Sequence, residues 1–573
     1  MSVVFKYVDG KLVFSDVDIH KTERVPMYAC EDGKTYIIGE VFGTTYEEVS
    51  NSGWRKNVDV LYNFVGAFSI AYVSDEQCVF ATDINGIEPW YYYKKDNVFL
   101  LSDSFWEILK NVDVDFVDIN REEIKTMMIS STVKGETVIK GLSYTPPAHM
   151  GVFLGETKEV TIEKYREFRY ANLISNVGLA VENMDRLLDE AMHMIKEKCG
   201  DVKYCIGISG GLDSRVIPHY ARKYDMQLYG FNVCVPRPHG LFLAKSLVNA
   251  RKIAKVYKIP YREVKWTPDK VEEKVMLKIK KYPLGTGRNS FKYEDFFPEY
   301  DVLLTGASGE IVGNILPEEI EMFTDEKLIE VMQDVFISNS YKSSFLMRGA
   351  RTLKFLFGIN IKVSVKSSFS KLLKEGDIER AKEMIKGFIE EGKRKGQTNT
   401  EIYEDYLNNY MTSRNRNGGF ESFLGQKRSF SIYVPFLFKE VVNWNPMLLH
   451  NRKALNELIA RKIPEVKHIS PETFGNVPGK KAGVIKKTMS LFSFLLRGNG
   501  VAIDQHWINK RKVKSKLLSR VGNDCQWFCK VFEVEKAELI DIVKSSKEAE
   551  FLINIWEMKA LLDCIEQREY LLF

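Results

Sequence analysis

The sequence predicts a mixed α/β and α+β fold in two main units: an antiparallel, β-rich unit, then one in which strands alternate with helices around a parallel sheet. Two patterns carry this. Up to about residue 170, short apolar runs recur between turn residues at hairpin-like spacing. From about residue 176 the apolar period becomes that of a helix, and strand, turn and helix then follow one another. Composition agrees, because 573 residues that are 45% hydrophobic and 12% aromatic suffice for several cores and do not fit disorder.

In the first unit the runs are VVFKYV, KTYIIGEVF, AFSIAYV, CVFATDI, PWYYYKK and VFLLSD. A polar helix is expected over 121–130, PPAH at 146–149 interrupts regular structure, and one further hairpin follows. The second unit opens on an amphipathic helix, NVGLAVENMDRLLDEAMHMIKEKCG, with Leu187, Leu188, Ala191, Met194 and Ile195 on one face and Gly200 beyond its end. Strand, glycine turn and helix then fill 204–223. The strand QLYGFNVCV, a helix through 242–257 and a short strand over 260–265 come next. DVLLTG, 301–306, fits the same parallel sheet. From 317 onward the chain reads as helical apart from the apolar segment SIYVPFLF, and the tail 481–573 is helical and moderately basic. Domain bounds of 1–172, 173–480 and 481–573 follow. No internal repeat or low-complexity segment is found.

Charge excludes some function classes. Eighty-two basic against 77 acidic residues leave +5, too little for this length to indicate nucleic acid or a membrane surface. The eight cysteines are scattered; Cys525 and Cys529 form the one close pair and no second pair stands at zinc-like spacing, which fits buried thiols in a reducing compartment. MSVVFKYVDGKLVF has no signal-peptide pattern, and the most apolar late stretch, MSLFSFLLRG, is about half the length of a spanning helix. A soluble, cytoplasmic protein is the expectation.

The stretch YCIGISGGLDSRVIPHYA, 204–221, places Ser209, Gly210, Gly211, Asp213 and Ser214 between a buried strand and a helix. A helix N-terminus attracts anions, and glycines without Cβ let the backbone approach one. The lysine of a γ-phosphate-transferring loop is missing, as is the third glycine of a dinucleotide fingerprint. Asp213 would repel a phosphate unless a dication stood between them, the usual arrangement for magnesium. Two glycines alone could be only a tight turn; the whole set after a buried strand favours phosphate.

SGGLDS at 209–214 resembles the pyrophosphate loop of ATP-pyrophosphatases. The ordered set of TGASGEI (305–311), YVPFLF (433–438), DINGIEPWYYYKKDNVFLLSDSFWEIL, GEVFG, YNFVGAFSIAYV and TPPAHM before KYREF resembles the asparagine synthetase family, which includes the β-lactam synthetases. The resemblance covers about 1–480. It implies an N-terminal Ntn-like αββα sandwich, then a doubly wound parallel-sheet ATP-pyrophosphatase domain with extra C-terminal helices packed on it. It further implies that Ile208, Ser209, Gly210, Gly211, Asp213, Ser214, Val233, Thr305 and Gly306 bind ATP and that Asp213 and Glu310 hold magnesium. Lys480 would assist pyrophosphate departure, with Lys481 beside it, although a solvated basic pair is the competing reading. Val233 can equally be core, Arg414 and Arg416 can clamp an acidic substrate or lie on a helix surface, and His219 reads as a packed histidine.

The chain also departs from that family. Ser2 stands where the family's nucleophilic cysteine is expected, the R-G-P-D segment is absent, and N-G-E is reduced to Gly39-Glu40, so the glutaminase-like unit is expected to be inactive. Ser431, Tyr433 and Phe438 replace Glu, Arg and Asp, and Ala307 replaces Glu or Tyr. The resemblance implies an ATP- and magnesium-dependent carbon–nitrogen ligase that forms an acyl-adenylate. An intramolecular amide or lactam cyclase, or a non-catalytic nucleotide-binding paralogue, are the alternatives. Implied partners are a small-molecule or peptide carboxylate and ammonia or a substrate amine, with no nucleic acid and no membrane; a homodimer is compatible.

Overall fold

A computed structural model describes residues 2–18, 27–129, 135–234, 245–265, 276, 279, 299–306, 319–332, 371–418, 423–424, 427–431, 433, 436–437, 440, 443–449, 452–469, 510–523, 525–546 and 549–572. Alternation along the early runs builds two antiparallel sheets. One takes β1 (Ser2–Val8), β2 (Lys11–Asp18), β7 (Tyr91–Lys95), β8 (Val98–Ser102) and β9 (Leu142–Tyr144), in the order β2-β1-β8-β7-β9. The other takes β3 (Met27–Ala29), β4 (Thr35–Phe42), β5 (Val65–Val73), β6 (Gln77–Thr82), β10 (His149–Leu154) and β11 (Glu159–Lys164), in the order β11-β10-β6-β5-β4-β3.

Period-two patterning decides which residues meet between the sheets. Val3, Phe5 and Tyr7 of β1, with Phe99 and Leu101 of β8, pack on Ala71, Cys78, Phe80 and Phe153. The Phe99 and Phe153 rings stack at 4.3 Å. On the outer face of the second sheet, Ile37, Val41, Phe68 and Ile70 pack under Val49 of α1 (Tyr46–Ser50), Trp54 and Leu61. On the outer face of the first, Val4, Tyr91 and Leu100 pack under α2 (Phe105–Lys110) and α3 (Arg121–Ile129). The layers therefore run helix, sheet, sheet, helix. A tight turn after β6 is closed by Asp83, whose Oδ1 accepts from Asn85 N at 3.1 Å and Gly86 N at 2.6 Å. Burial pushes the Asp83 carboxyl up to about 7 against those hydrogen bonds.

The second unit opens with α4 (Val177–Cys199). Asn176 caps it, its side chain accepting from Gly178 N at 2.7 Å, and Gly200 ends it at φ +75°. Leu187, Leu188, Ala191 and Ile195 are buried as their spacing predicts; Met194 sits at the margin and Met192 takes the fully buried place. The third sheet holds β12 (Lys203–Gly207), β13 (Gln227–Cys234), β14 (Tyr261–Lys265), β15 (Val302–Thr305), β16 (Phe423–Leu424) and β17 (Lys427–Ser431), in the order β14-β13-β12-β15-β17-β16. Every neighbouring pair is parallel except β16–β17.

One face of this sheet, Tyr204, Ile206, Val302 and Leu304, is covered by α4, α5 (Asp213–Lys223) and α6 (Lys245–Tyr257). Past the helices α7 (Glu375–Arg394) and α8 (Asn399–Gly418), α9 (Lys453–Lys462) returns to the same face through Ala454, Leu455, Leu458 and Ile459. The opposite face, Cys205, Phe231, Val264 and Leu303, belongs to one apolar cluster with α2, α3, α10 (Lys510–Asn523), α11 (Gln526–Phe532), α12 (Lys536–Ser545) and α13 (Ala549–Glu566). The C-terminal helices thus touch the first unit as well as the parallel sheet; Trp106 stacks on Tyr570 with centroids 5.8 Å apart. The described cysteines are free thiols, and Cys525 and Cys529 lie 3.4 Å apart. No helix among the described residues is long and apolar enough to cross a membrane.

Candidate functional site

In the third sheet, β12 has β13 on one side and β15 on the other, so the chain reverses its direction of growth at β12. Loops leaving β12 and β15 diverge there, and ligands of open α/β sheets bind in the crevice beyond the strand ends. The SGGLDS loop leaves β12 and Gly306 leaves β15 at this point.

The loop is pinned on three sides. Ile208 N donates to Phe231 O at 2.8 Å, and the buried Asn232 amide donates to Ile208 O at 2.5 Å, which holds the end of β12 against β13. Gly210 sits at φ +80°, a left-handed turn that glycine enters without a Cβ penalty. Ser209 Oγ accepts from Gly211 N at 3.1 Å and lies 3.2 Å from Ser214 Oγ. Beneath the loop lies Arg215, fully buried. Its Nε donates to Gly211 O at 2.9 Å, its Nη2 to Gly210 O at 2.9 Å, and its Nη1 to Ile469 O. Peptides are trans, so carbonyls turned onto Arg215 direct the Gly211 and Leu212 N–H groups away from it. The loop turns these carbonyls onto Arg215, which leaves the Leu212 N–H on the side away from it, while the Gly211 N–H is taken by Ser209 Oγ.

Asp213 is the first residue of α5. Its Oδ2 accepts from Arg452 Nη1 at 2.7 Å, and its backbone carbonyl accepts from the buried Tyr433 hydroxyl at 3.1 Å. A Cβ on Gly306 would stand 3.1 Å from Asp213 C and Ser214 N, so glycine there lets β15 approach the start of α5. The structure therefore brings Ile208, Ser209, Gly210, Gly211, Asp213, Ser214, Thr305 and Gly306 together. Val233 pairs with Val264 through its backbone, but its side chain lies outside the described residues, as do those of Ser2, Arg414, Arg416 and Ser431. Ala307, Glu310, Phe438, Lys480 and Lys481 lie outside them altogether. His219 Nδ1 meets Glu465 Oε1 at 2.9 Å, where the Tyr257 hydroxyl also donates at 3.2 Å, a packed arrangement.

Magnesium suits these donors in kind, because the Asp213 carboxylate and the Ser209 and Ser214 hydroxyls are hard oxygens. Among the described residues no three His, Cys, Asp or Glu side chains cluster, so ligand phosphates would have to complete the coordination. Three site residues escaped the sequence reading. Asn232 had a signal, a polar side chain in an apolar strand. Arg215 had a fainter one, four residues after Gly211 and one helical turn away. Arg452, 239 residues from Asp213, had none.

The Gly39-Glu40 position of the first unit is buried. Glu40 is 1% exposed and sits 3.0 Å from Lys198 of α4 and 3.4 Å from Arg428 of β17, while the Tyr46 hydroxyl donates to it at 3.2 Å. Elsewhere, a cavity of about 270 Å³ between the first unit and α8 shares no residue with the glycine loop. Its charges pair across it, Lys164 with Asp405 and Glu167, Arg166 with Asp59.

The chain matches no protein-family profile and no curated protein. Solved structures with partial likeness include a glutamine phosphoribosylpyrophosphate amidotransferase from B. subtilis complexed with ADP and GMP, 11% identical, with a TM-score of 0.17 over 46% of this chain and 59% of that one. Another, described as the allosteric regulatory enzyme of purine biosynthesis, is 10% identical, with a TM-score of 0.18 over 47% and 74%. The U34-tRNA thiolase NcsA from Methanococcus maripaludis with its 4Fe-4S cluster is 14% identical, with a TM-score of 0.17 over 54% and 87%. This chain thus spans under two thirds of the first of them.

Proposed function

We propose that the chain is an ATP-dependent ligase that activates a carboxylate as its adenylate, releases pyrophosphate and forms an amide. The observation that supports this is the glycine loop at the reversal point of the parallel sheet, with two of its carbonyls held by Arg215 and the Ser209 and Ser214 hydroxyls side by side. In the proposed reaction a carboxylate oxygen bonds to the α-phosphorus and the bond to the β-phosphate oxygen breaks, pyrophosphate leaving with the electron pair. An amine lone pair then attacks the acyl carbon, the acyl–phosphate bond breaks, AMP leaves and the nitrogen loses a proton. Loop amides and the Ser209 and Ser214 hydroxyls would bind the departing phosphates, whose negative charge grows in the transition state. Magnesium held by Asp213, with Glu310 as the second acid, would neutralise part of that charge.

The nitrogen would come from ammonia or from an amine of the substrate, because Glu40 is engaged by Lys198 and Arg428 where a glutaminase would need an open oxyanion site. That favours intramolecular amide or lactam closure as a second reading. ATP, magnesium and candidate acids are incubated with the protein and the released anion is identified. Pyrophosphate that disappears in Asp213→Ala supports the proposal, and release of orthophosphate alone overturns it.

A further inference from the structure

Arg452 reaches the start of α5 from a distant part of the chain. Its Nη1 lies 2.7 Å from Asp213 Oδ2, and the two side chains are 27% and 20% exposed, so the pair is partly open to solvent. Its backbone is left-handed, φ +57° and ψ +38°, immediately before α9. A residue with a Cβ is disfavoured in that region, so surrounding structure must impose it. It does: Arg452 N donates to Leu449 O at 2.9 Å, Asn456 Nδ2 donates to Arg452 O at 2.9 Å, and α9 is anchored by four buried apolar residues. The guanidinium is carried to the loop by a packed helix.

That placement has an electrostatic meaning. The α5 N-terminus, the loop amides and two serine hydroxyls attract an anion, while Asp213 opposes one. Arg452 cancels that opposition. Its planar fork has five donors and matches phosphate oxygens as well as it matches a carboxylate. We propose that Arg452 is an anion-binding residue of the phosphate site, screening Asp213 before the nucleotide arrives and donating to the pyrophosphate portion of ATP once it is bound. This rests on the ATP reading above.

The test is calorimetric titration of sodium pyrophosphate and of ATP, with and without magnesium, into the full chain as wild type, Arg452→Gln, Arg452→Lys and Asp213→Asn, each checked for folding by circular dichroism. Arg452→Gln is expected to weaken metal-free pyrophosphate binding about tenfold or more, and Arg452→Lys to keep part of it. Equal affinity in a folded Arg452→Gln overturns the inference and leaves the ATP reading standing. Should the glutamine variant not fold, Asp213→Asn decides: severalfold tighter metal-free pyrophosphate binding supports the inference, and unchanged or weaker binding overturns it. If the wild type binds neither probe under any condition, the ATP reading itself fails.

Discussion

Three carbonyl oxygens, of Gly210, Gly211 and Ile469, converge on the Arg215 guanidinium. Removing it strands them in the interior, and each buried acceptor left unmade costs about 1–3 kcal/mol. Arg215→Met is therefore expected to lower the melting temperature and to weaken ATP binding together; Arg215→Lys, a point charge without the fork, should fall between. Retained ATP affinity in a folded Arg215→Met would show that the guanidinium does not shape the loop. Asp83 permits a test by pH. Its carboxyl titrates near 7 in the fold against about 3.9 unfolded, so between those values the native state binds the extra proton and stability falls as pH rises. His149, which burial lowers to about 4, has the opposite slope between 4 and its ordinary value. Comparison of Asp83→Asn with wild type at pH 5 and pH 8 isolates the Asp83 part. The variant should gain relative stability towards pH 8, by roughly 1.4 kcal/mol per pH unit at most, as read from denaturant midpoints. Residues 209–214 were legible because their chemistry is local; Arg215 was not, because a cation beside VIPHYA reads as surface until its three acceptors are seen.

At the scale of elements, the junction of β15 with α5 is the most exacting contact near the loop. Gly306→Ala would place a methyl 3.1 Å from backbone atoms of Asp213 and Ser214, which cannot swing aside as a side chain can. The expected outcome is at least a severalfold loss of ATP affinity with far-UV circular dichroism unchanged. The N-cap of α4 offers a control far from the loop: Asn176→Ala should cost about 1 kcal/mol and leave ATP binding untouched, as measured by thermal denaturation and titration. Strands β12 to β15 and helices α4 to α6 were readable because each has its own apolar period. β17 was not, because within KRSFS the one large apolar residue is Phe430, and its membership of the sheet comes from pairing with β15. A strand defined by its neighbour carries little of its own signature.

Across the whole molecule, the passage from antiparallel sheets to a parallel one was legible from the change of hydrophobic period, and how the two parts join was not. Besides the pairing of Lys164 with Asp405, two features of the described residues contribute to that join. One is Glu40 with Lys198 and Arg428, alongside Phe42 against Phe430 and Phe436. Glu40→Ala removes the buried carboxylate that two partly exposed cations face, so the loss should fall short of the roughly 3–5 kcal/mol of a fully buried pair. A clear fall in melting temperature is expected, with glutamate release from glutamine undetectable before and after. Sustained glutamine turnover by the wild type would contradict the expectation that this unit is inactive. The other join is the apolar cluster that holds Val4, Leu303 and Tyr570 together, which no helix in the sequence announces, since an amphipathic face does not name its partner.

That cluster also has a consequence in time. The outer surface of β1, β8 and β7 finds part of its cover only when residues 510–572 have been made. While the ribosome works through the intervening stretch, that apolar face has only α2 and α3 over it for most of the period of synthesis, and long-range closure of this kind is slow and prone to aggregation. A nascent chain of this protein should lean on chaperones until its last helices arrive, and a premature stop before residue 510 should yield insoluble product rather than a working fragment.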